Sequence, residues 1–266
     1  MLFEKYTKIS EEKNSVININ LDPALPKQRK EFIINEKYLK EDDGETLLNF
    51  SLDIIEQVSD VCCAIKPNTQ YFLSETKILR DIVKKIHSEG LLAILDHKLN
   101  DIGSTTESAI YWISDMSFDA LTFSPFTGNV KMATDAAHKK NLGIIVWTLP
   151  SNAEAKDIVL NAKVDGIPLY EFIAKKVKES EADGCVVGLT GHAKEEHIKN
   201  IQNIVGDSTI FLMQGVGPQG ANDSDIQKIK LAENPLIGLG RGVIFSEDVR
   251  GSVKRYNDLF NKIRGK

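Results

Sequence analysis

The sequence predicts a (β/α)8 TIM barrel of the α/β class, and three observations carry that prediction. Eight short apolar runs rich in β-formers punctuate the chain, segments with helical apolar spacing lie between them, and unusual polar residues stand at the C-terminal ends of the runs. Near-continuous apolar strands alternating with helices call for a parallel sheet covered on its outer face. A length of 266 residues suits one large barrel as well as two small domains, but no linker-like stretch interrupts the pattern, so residues 1–266 read as a single barrel domain.

In chain order the expected strands are Ser15 to Leu21, Val61 to Ile65, Leu91 to Leu95, Asp119 to Phe123, Gly143 to Thr148, Gly184 to Leu189, Thr209 to Met213 and Pro235 to Gly240. Helical spacing appears over Ser74 to Ser88, Lys131 to Lys140, Leu169 to Glu179, Lys194 to Ile204, Asp223 to Ala232 and Asp248 to Ile263. A doubly wound sheet is the alternative, because one sequence does not show that a sheet closes. The polar residues favour closure. Asp22, Lys66, Asp96 with Lys98, Thr122 with Ser124, Ser151, Thr190, Gln219 and Arg241 all fall at or just past strand ends, which in a barrel form one rim where active sites are built.

Composition narrows the function classes. A hydrophobic fraction of 42% and a charged fraction of 27% describe an ordinary globular protein, and a net charge of -5 argues against a general nucleic-acid binder while permitting a local basic pocket. The opening MLFEKYTKISEEKN lacks a signal-peptide apolar core and no later run is long enough for a membrane helix, so no membrane contact and a cytoplasmic location are expected. The three cysteines, Cys62, Cys63 and Cys185, have no metal-ligand spacing and read as reduced strand residues; the five histidines show no metal-site spacing either.

The segment LDHKLNDIGST is the densest cluster of charge at a strand end. Strand alternation sets Asp96 and Lys98 on one face and turns His97 to the other. Asp101 lies beyond the strand end, from where a turn can fold its carboxylate back toward Lys98. An ammonium held between carboxylates stays protonated and can deliver its proton to a carbanion formed beside it. A salt-bridged turn that caps a helix starting near Ser104 explains the same residues equally well.

Two glycine loops tip the balance. QGVGPQGAND follows the seventh strand and contains G-x-G-x-x-G at Gly215, Gly217 and Gly220, but it follows the wrong strand for a dinucleotide fingerprint. GLGRGVIFS follows the eighth. Loops seven and eight of a barrel are the usual phosphate cradle, and Gln219, the Gly240 backbone and Arg241 would supply donors there.

LDHKLNDIGST resembles the D-x-K-x-x-D-I signature of orotidine 5'-phosphate decarboxylases. The resemblance runs on through INLDPAL, AIKPNTQYF, TFSPFTG, TLPSNAEA, VVGLTG, GVGPQG and GLGRGVIF, over nearly the whole chain, and KPN with SPFTG and SNAEA is most similar to the bacterial branch with longer chains. It implies conversion of orotidine 5'-monophosphate to uridine 5'-monophosphate and CO2 in pyrimidine synthesis, with no cofactor and no metal. By the same resemblance Lys98 protonates C6 of the pyrimidine, Asp96 lies near the departing carboxylate, and Lys66 and Asp22 bind ribose hydroxyls and join the charged network. Asp101 and Thr105 are implied to be shared across a homodimer interface, Ser151 to read the pyrimidine edge, and Gln219 with Gly240 and Arg241 to hold the phosphate. The chain departs from the pattern at Gln214, where proline is usual, at Pro150 before Ser151, and at Asn100.

The rival enzyme is a magnesium-dependent sugar-phosphate decarboxylase or aldolase of the same barrel superfamily, which resembles D-x-K-x-x-D but carries an acidic ligand where this chain has Lys66. A Schiff-base aldolase would need an uncharged lysine, which flanking carboxylates disfavour. A non-catalytic nucleotide-binding barrel is the alternative outside enzymes. Thr122 and Ser124 read as hydroxyls satisfying loop backbone, Thr122 being left outside the candidate site.

Overall fold

Eight parallel strands close on themselves in the computed structural model, which describes residues 1–216 and 222–266. The strands are β1 (Ile17–Leu21), β2 (Ala64–Pro67), β3 (Leu92–Leu99), β4 (Ala120–Phe123), β5 (Gly143–Leu149), β6 (Gly184–Gly188), β7 (Ile210–Gln214) and β8 (Pro235–Leu239). Each pairs in parallel with the next, and β1 completes the ring against β8 through Ile17 opposite Ile237 and Ile19 opposite Leu239. The ring settles the choice between a closed barrel and a doubly wound sheet.

Alternation along each strand divides the core in two. Ile17, Ile19, Leu21, Ile65, Ala93, Leu95, Leu121, Phe123, Ile144 and Val146 face outward into the layer between barrel and helices. The intervening residues face the barrel axis, where Leu92, Ile94, Ala120, Ile145, Val186, Ile210, Leu212 and Leu236 form a second cluster. Apolar side chains on both faces are why these strands read as continuous hydrophobic runs.

The outer helices are α2 (Asp43–Val58), α3 (Leu79–Ser88), α4 (Gly103–Asp115), α5 (Val130–His138), α6 (Leu169–Ser180), α7 (Glu195–Val205), α8 (Asp223–Gln227), α9 (Arg241–Ile244) and α10 (Val249–Arg264), all introduced by α1 (Leu2–Glu12). The sequence reading missed α1, α2 and the body of α4. In α1 only Leu2, Tyr6 and Ser10 are buried, a stripe too thin to stand out. That stripe stoppers the N-terminal end of the barrel: Leu2 and Tyr6 belong to the inner cluster, Tyr6 Oη donates to the Pro235 carbonyl at 2.6 Å, and a Cβ on Gly143 would meet the Leu2 side chain. A two-stranded hairpin over residues 163–168 was also unforeseen. Asp165 and Gly166, both with positive φ, form its turn, and Asp-Gly between short strands favours a type I′ turn.

No helix of the described residues is long and apolar enough to cross a membrane.

Candidate active site

Where the inward rows reach the C-terminal ends of the strands they change from apolar to polar. Asn20, Lys66, Asp96, Thr122, Trp147 and Gln214 stand above Val186 and Leu212, and with Asp22, Pro150, Ser151, Asn152 and Gly188 they line a cavity of about 220 Å³. The residues are brought together by register: Asn20 lies opposite Lys66, and Gly188 opposite Gln214.

Asp96 is the hub. Its Oδ2 accepts from the Lys66 ammonium, and its Oδ1 accepts from Lys98 Nζ at 2.6 Å and from the Thr122 hydroxyl at 3.1 Å. Lys66 is only 4% exposed and Asp96 8%, so this pair is held away from bulk water. Lys98 is half-buried and its Nζ also lies 5.4 Å from the centroid of the Trp147 ring, within cation–π range.

The way Lys98 reaches Asp96 differs from simple alternation. Its φ is +54°, in the left-handed region that long side chains avoid, and the pairing of β3 with β4 shifts register between Leu95 and Leu99. The Thr122 hydroxyl fastens this conformation by accepting from the Lys98 backbone N–H at 2.9 Å. A strained residue at a rim signals function when its surroundings hold it so firmly. Thr122, set aside on sequence, is therefore part of the site: one hydroxyl grips both the carboxylate and the backbone of the lysine. Its position at a strand end was the available signal.

Electrostatics follow from this packing. Burial pushes the Asp96 carboxyl up, but Lys66 and Lys98 outweigh burial and hold it well below the usual carboxylate range. His97 faces away, as alternation predicts; its Nδ1 lies 3.1 Å from Thr69 Oγ1, and burial lowers its imidazole below the ordinary histidine value.

The remaining predicted residues divide into three groups. Asp22 and Ser151 line the cavity with Lys66 and Asp96; Asp22 Oδ1 is buried without a hydrogen-bond partner among the described residues, and the Ser151 backbone passes so close to Gly188 that a Cβ there would lie 2.8 Å from Ser151 Cα. Gly240 borders a neighbouring cleft with Phe32, Val216 and Gly242, and the adjacent Arg241 guanidinium lies 5.9 Å from the centroid of the Phe32 ring. Gln219 lies outside the described residues, as do Gly217 and Gly220.

Asp101 and Thr105 form the third group, and here an expectation is corrected. The Asp101 carboxylate does not fold back onto Lys98: its Oδ1 accepts from the Ile102 N–H at 2.8 Å, its carbonyl accepts from Asn129 Nδ2, and among the described residues no ion pair joins it to a lysine. The chain runs extended through Ile102 straight into α4, leaving Thr105 exposed. Within one chain the array is therefore lysine, aspartate, lysine.

Sequence reasoning also passed over Asn20 and Trp147, and noted Gln214 only as a departure. Asn20 Nδ2 donates to Gln214 Oε1 at 2.8 Å, so the two act as a pair.

A family model described as orotidine 5'-phosphate decarboxylase / HUMPS family matches residues 47–256. The chain is similar to the orotidine 5'-phosphate decarboxylase of Cupriavidus metallidurans, 34% identical over 212 residues that cover 76% of this chain and 77% of that protein. It is similar to that of Cellvibrio japonicus at 30% identity over 245 residues, covering 88% and 86%. Among solved structures, a putative orotidine-monophosphate-decarboxylase from Toxoplasma gondii has a TM-score of 0.84 at 21% identity, over 99% of this chain and 96% of that one. Orotidine 5'-monophosphate decarboxylase from Methanocaldococcus jannaschii, complexed with inhibitor BMP, has a TM-score of 0.72 at 22% identity, over 92% and 98%. At those identities the structural likeness concerns the fold, while the family model and the bacterial relatives concern descent: the chain belongs to the orotidine 5'-phosphate decarboxylase / HUMPS family.

Proposed function

We propose that this chain converts orotidine 5'-monophosphate to uridine 5'-monophosphate and CO2, using its own side chains and no metal. The observation that carries the proposal is the Lys66, Asp96, Lys98 array at the C-terminal rim, with Thr122 fixing the strained Lys98 backbone.

In this reading the C6 to carboxylate bond breaks heterolytically, CO2 departs, and the electron pair remains on C6. The Lys98 ammonium stabilises that carbanion and transfers a proton from Nζ to C6; water then restores the ammonium. The ring offers no obvious electron sink, so the barrier reduction required lies toward the upper part of the roughly 8 to 23 kcal/mol that enzymes typically supply. Asp96, kept ionised by its two lysines, would stand beside the substrate carboxylate and disfavour the ground state. Binding energy would come from remote groups: Lys66 and Asp22 on ribose hydroxyls, Ser151 on the pyrimidine edge, and Gln219, Gly240 and Arg241 on the phosphate. Arg241 supports this role, since among the described residues no carboxylate lies within ion-pair distance of it.

The choice against magnesium chemistry rests on the same array. Both Asp96 oxygens already accept from ammonium groups, and Lys66 adds positive charge where a cation would have to sit.

A homodimer belongs to the proposal because Asp101 and Thr105 lie outside their own chain's array. Ile102 at the start of α4, Tyr111 and Trp112 on α4, and Phe126 in the turn after β4 are large apolar side chains between 48% and 64% exposed, available to a second copy. Across such a contact Asp101 of one subunit would approach Lys98 of the other.

The test is the absorbance change of orotidine 5'-monophosphate on mixing with purified protein and a chelator. Conversion that ignores the chelator is expected. Conversion that stops with chelator, or binding without conversion, would overturn the proposal in favour of a metal-dependent relative or a silent binding barrel.

A further inference from the structure

Gln214 ends β7, and its side chain crosses the face of β8 toward β1. The crossing depends on Gly238: a Cβ built there would lie 2.3 Å from Gln214 Nε2 and 2.5 Å from Oε1. On the far side Asn20 Nδ2 donates to Gln214 Oε1 at 2.8 Å, and Asn20 Oδ1 accepts from Asn18 Nδ2, also at 2.8 Å. Three amides from β1 and β7 thus form one line over β8. The direction of donation along that line uses Gln214 Oε1 and leaves Nε2 buried with no partner among the described residues.

Gln214 lines the same cavity as Asp22, whose Oδ1 is also buried and has no partner among the described residues. A buried polar atom without a partner is costly and calls for one from outside the chain. Here the two unpaired atoms are of opposite kind, an amide donor and a carboxylate acceptor. A diol meets both, because each hydroxyl can donate or accept.

Resting on the function proposed above, we infer that Gln214 contacts substrate and that its Nε2 donates to the ribose diol whose other bond goes to Asp22. Asn20 is the positioning residue that keeps the donor, rather than the carbonyl, turned into the cavity.

The experiment is calorimetric binding of uridine 5'-monophosphate and its 2'-deoxy and 3'-deoxy analogues to wild type, Gln214→Met and Gln214→Glu, with thermal melts as a check on folding. Gln214→Glu retains an acceptor for Asn20, loses the donor and adds a charge, and Gln214→Met removes the donor without the charge. The wild type should prefer the ribonucleotide over at least one deoxy analogue, and both variants should lose about fivefold to tenfold of that preference, the worth of one neutral hydrogen bond. A merely structural role would weaken all three ligands together and leave the preference unmoved, which overturns the inference while the proposed function stands. Failure of the wild type to bind uridine 5'-monophosphate would overturn both.

Discussion

Replacing Thr122 with valine tests whether the strained lysine is held by one hydroxyl. The substitution conserves shape at a site only 1% exposed, so it alters hydrogen bonding and little else. It removes a bond to the ionised Asp96, worth about 1.5–3 kcal/mol, and orphans the Lys98 N–H, costing about 1–3 kcal/mol. Asp96 keeps both lysines and Lys98 is only half-buried, so the lower half of the summed range applies, about 3 kcal/mol. For a chain of this size that corresponds to a fall in Tm of about 6–12 °C. Released from Thr122, the backbone of Lys98 can leave its φ of +54°, and a displacement of the ammonium by about 1 Å would cost roughly a hundredfold in kcat with KM little changed. Scanning calorimetry and steady-state kinetics read the two effects, and Thr122→Ser should restore both because it keeps the hydroxyl. If Thr122→Val melts within about 2 °C of wild type and turns over normally, the hydroxyl does not hold the site.

Lys66→Met should raise the pH at which the protein loses stability in acid. Asp96 has a folded pKa below its unfolded value, so its stabilisation is present above the unfolded value and lost as pH falls through the folded one; with one ammonium gone, burial counts for more and the loss moves to higher pH, as circular dichroism during acid titration would reveal. Lys98→Ala should abolish turnover with the fold retained, and substantial residual turnover would refute its role as proton donor. Mixing Lys98→Ala with Asp101→Asn, each inactive alone, should recover about a quarter of wild-type activity if a two-fold dimer shares Asp101 across subunits; no recovery in dimers shown to have exchanged would refute the sharing. The pKa of His138 is raised by its 2.9 Å bond to Asp183, so its contribution is complete below the unfolded histidine value and fades as pH rises through the folded one; His138→Asn should flatten that decline in Tm as pH rises above the unfolded histidine value, as melts across a pH series would show.

The barrel was legible because each strand is buried on both faces and each polar rim residue interrupts an apolar run. Lys66, Asp96, Asp22 and Ser151 could be found that way, and they do share one cavity. The left-handed backbone at Lys98 could not, because period-two alternation describes a regular strand and gives no sign of a register shift. Thr122 was visible at its strand end but indistinguishable from any loop-capping threonine until both bonds of its hydroxyl were known. Asp101 illustrates the opposite limit: three residues are enough for a turn in principle, but the extended backbone at Ile102 feeds directly into α4. Helix α1 escaped notice because it covers only the narrow end of the barrel and needs just Leu2 and Tyr6 to do so.

That end closure bears on the chemistry at the other end. Below the rim the barrel axis is filled by Ile94, Val186, Leu212, Ile145 and Leu236, and Tyr6 from α1 seals the floor. The charges on Lys66 and Asp96 therefore rest on an apolar column and can be hydrated only from above. A ligand that covers the cavity removes that remaining water and strengthens every charge interaction beneath it. The position of Asp96 within reach of two ammoniums becomes intelligible on these terms, since burial alone would push its carboxyl upward and the two lysines reverse that. Lys66, almost wholly buried, helps keep the carboxylate ionised, while on the proposed function the more exposed Lys98 is the ammonium that would meet the substrate.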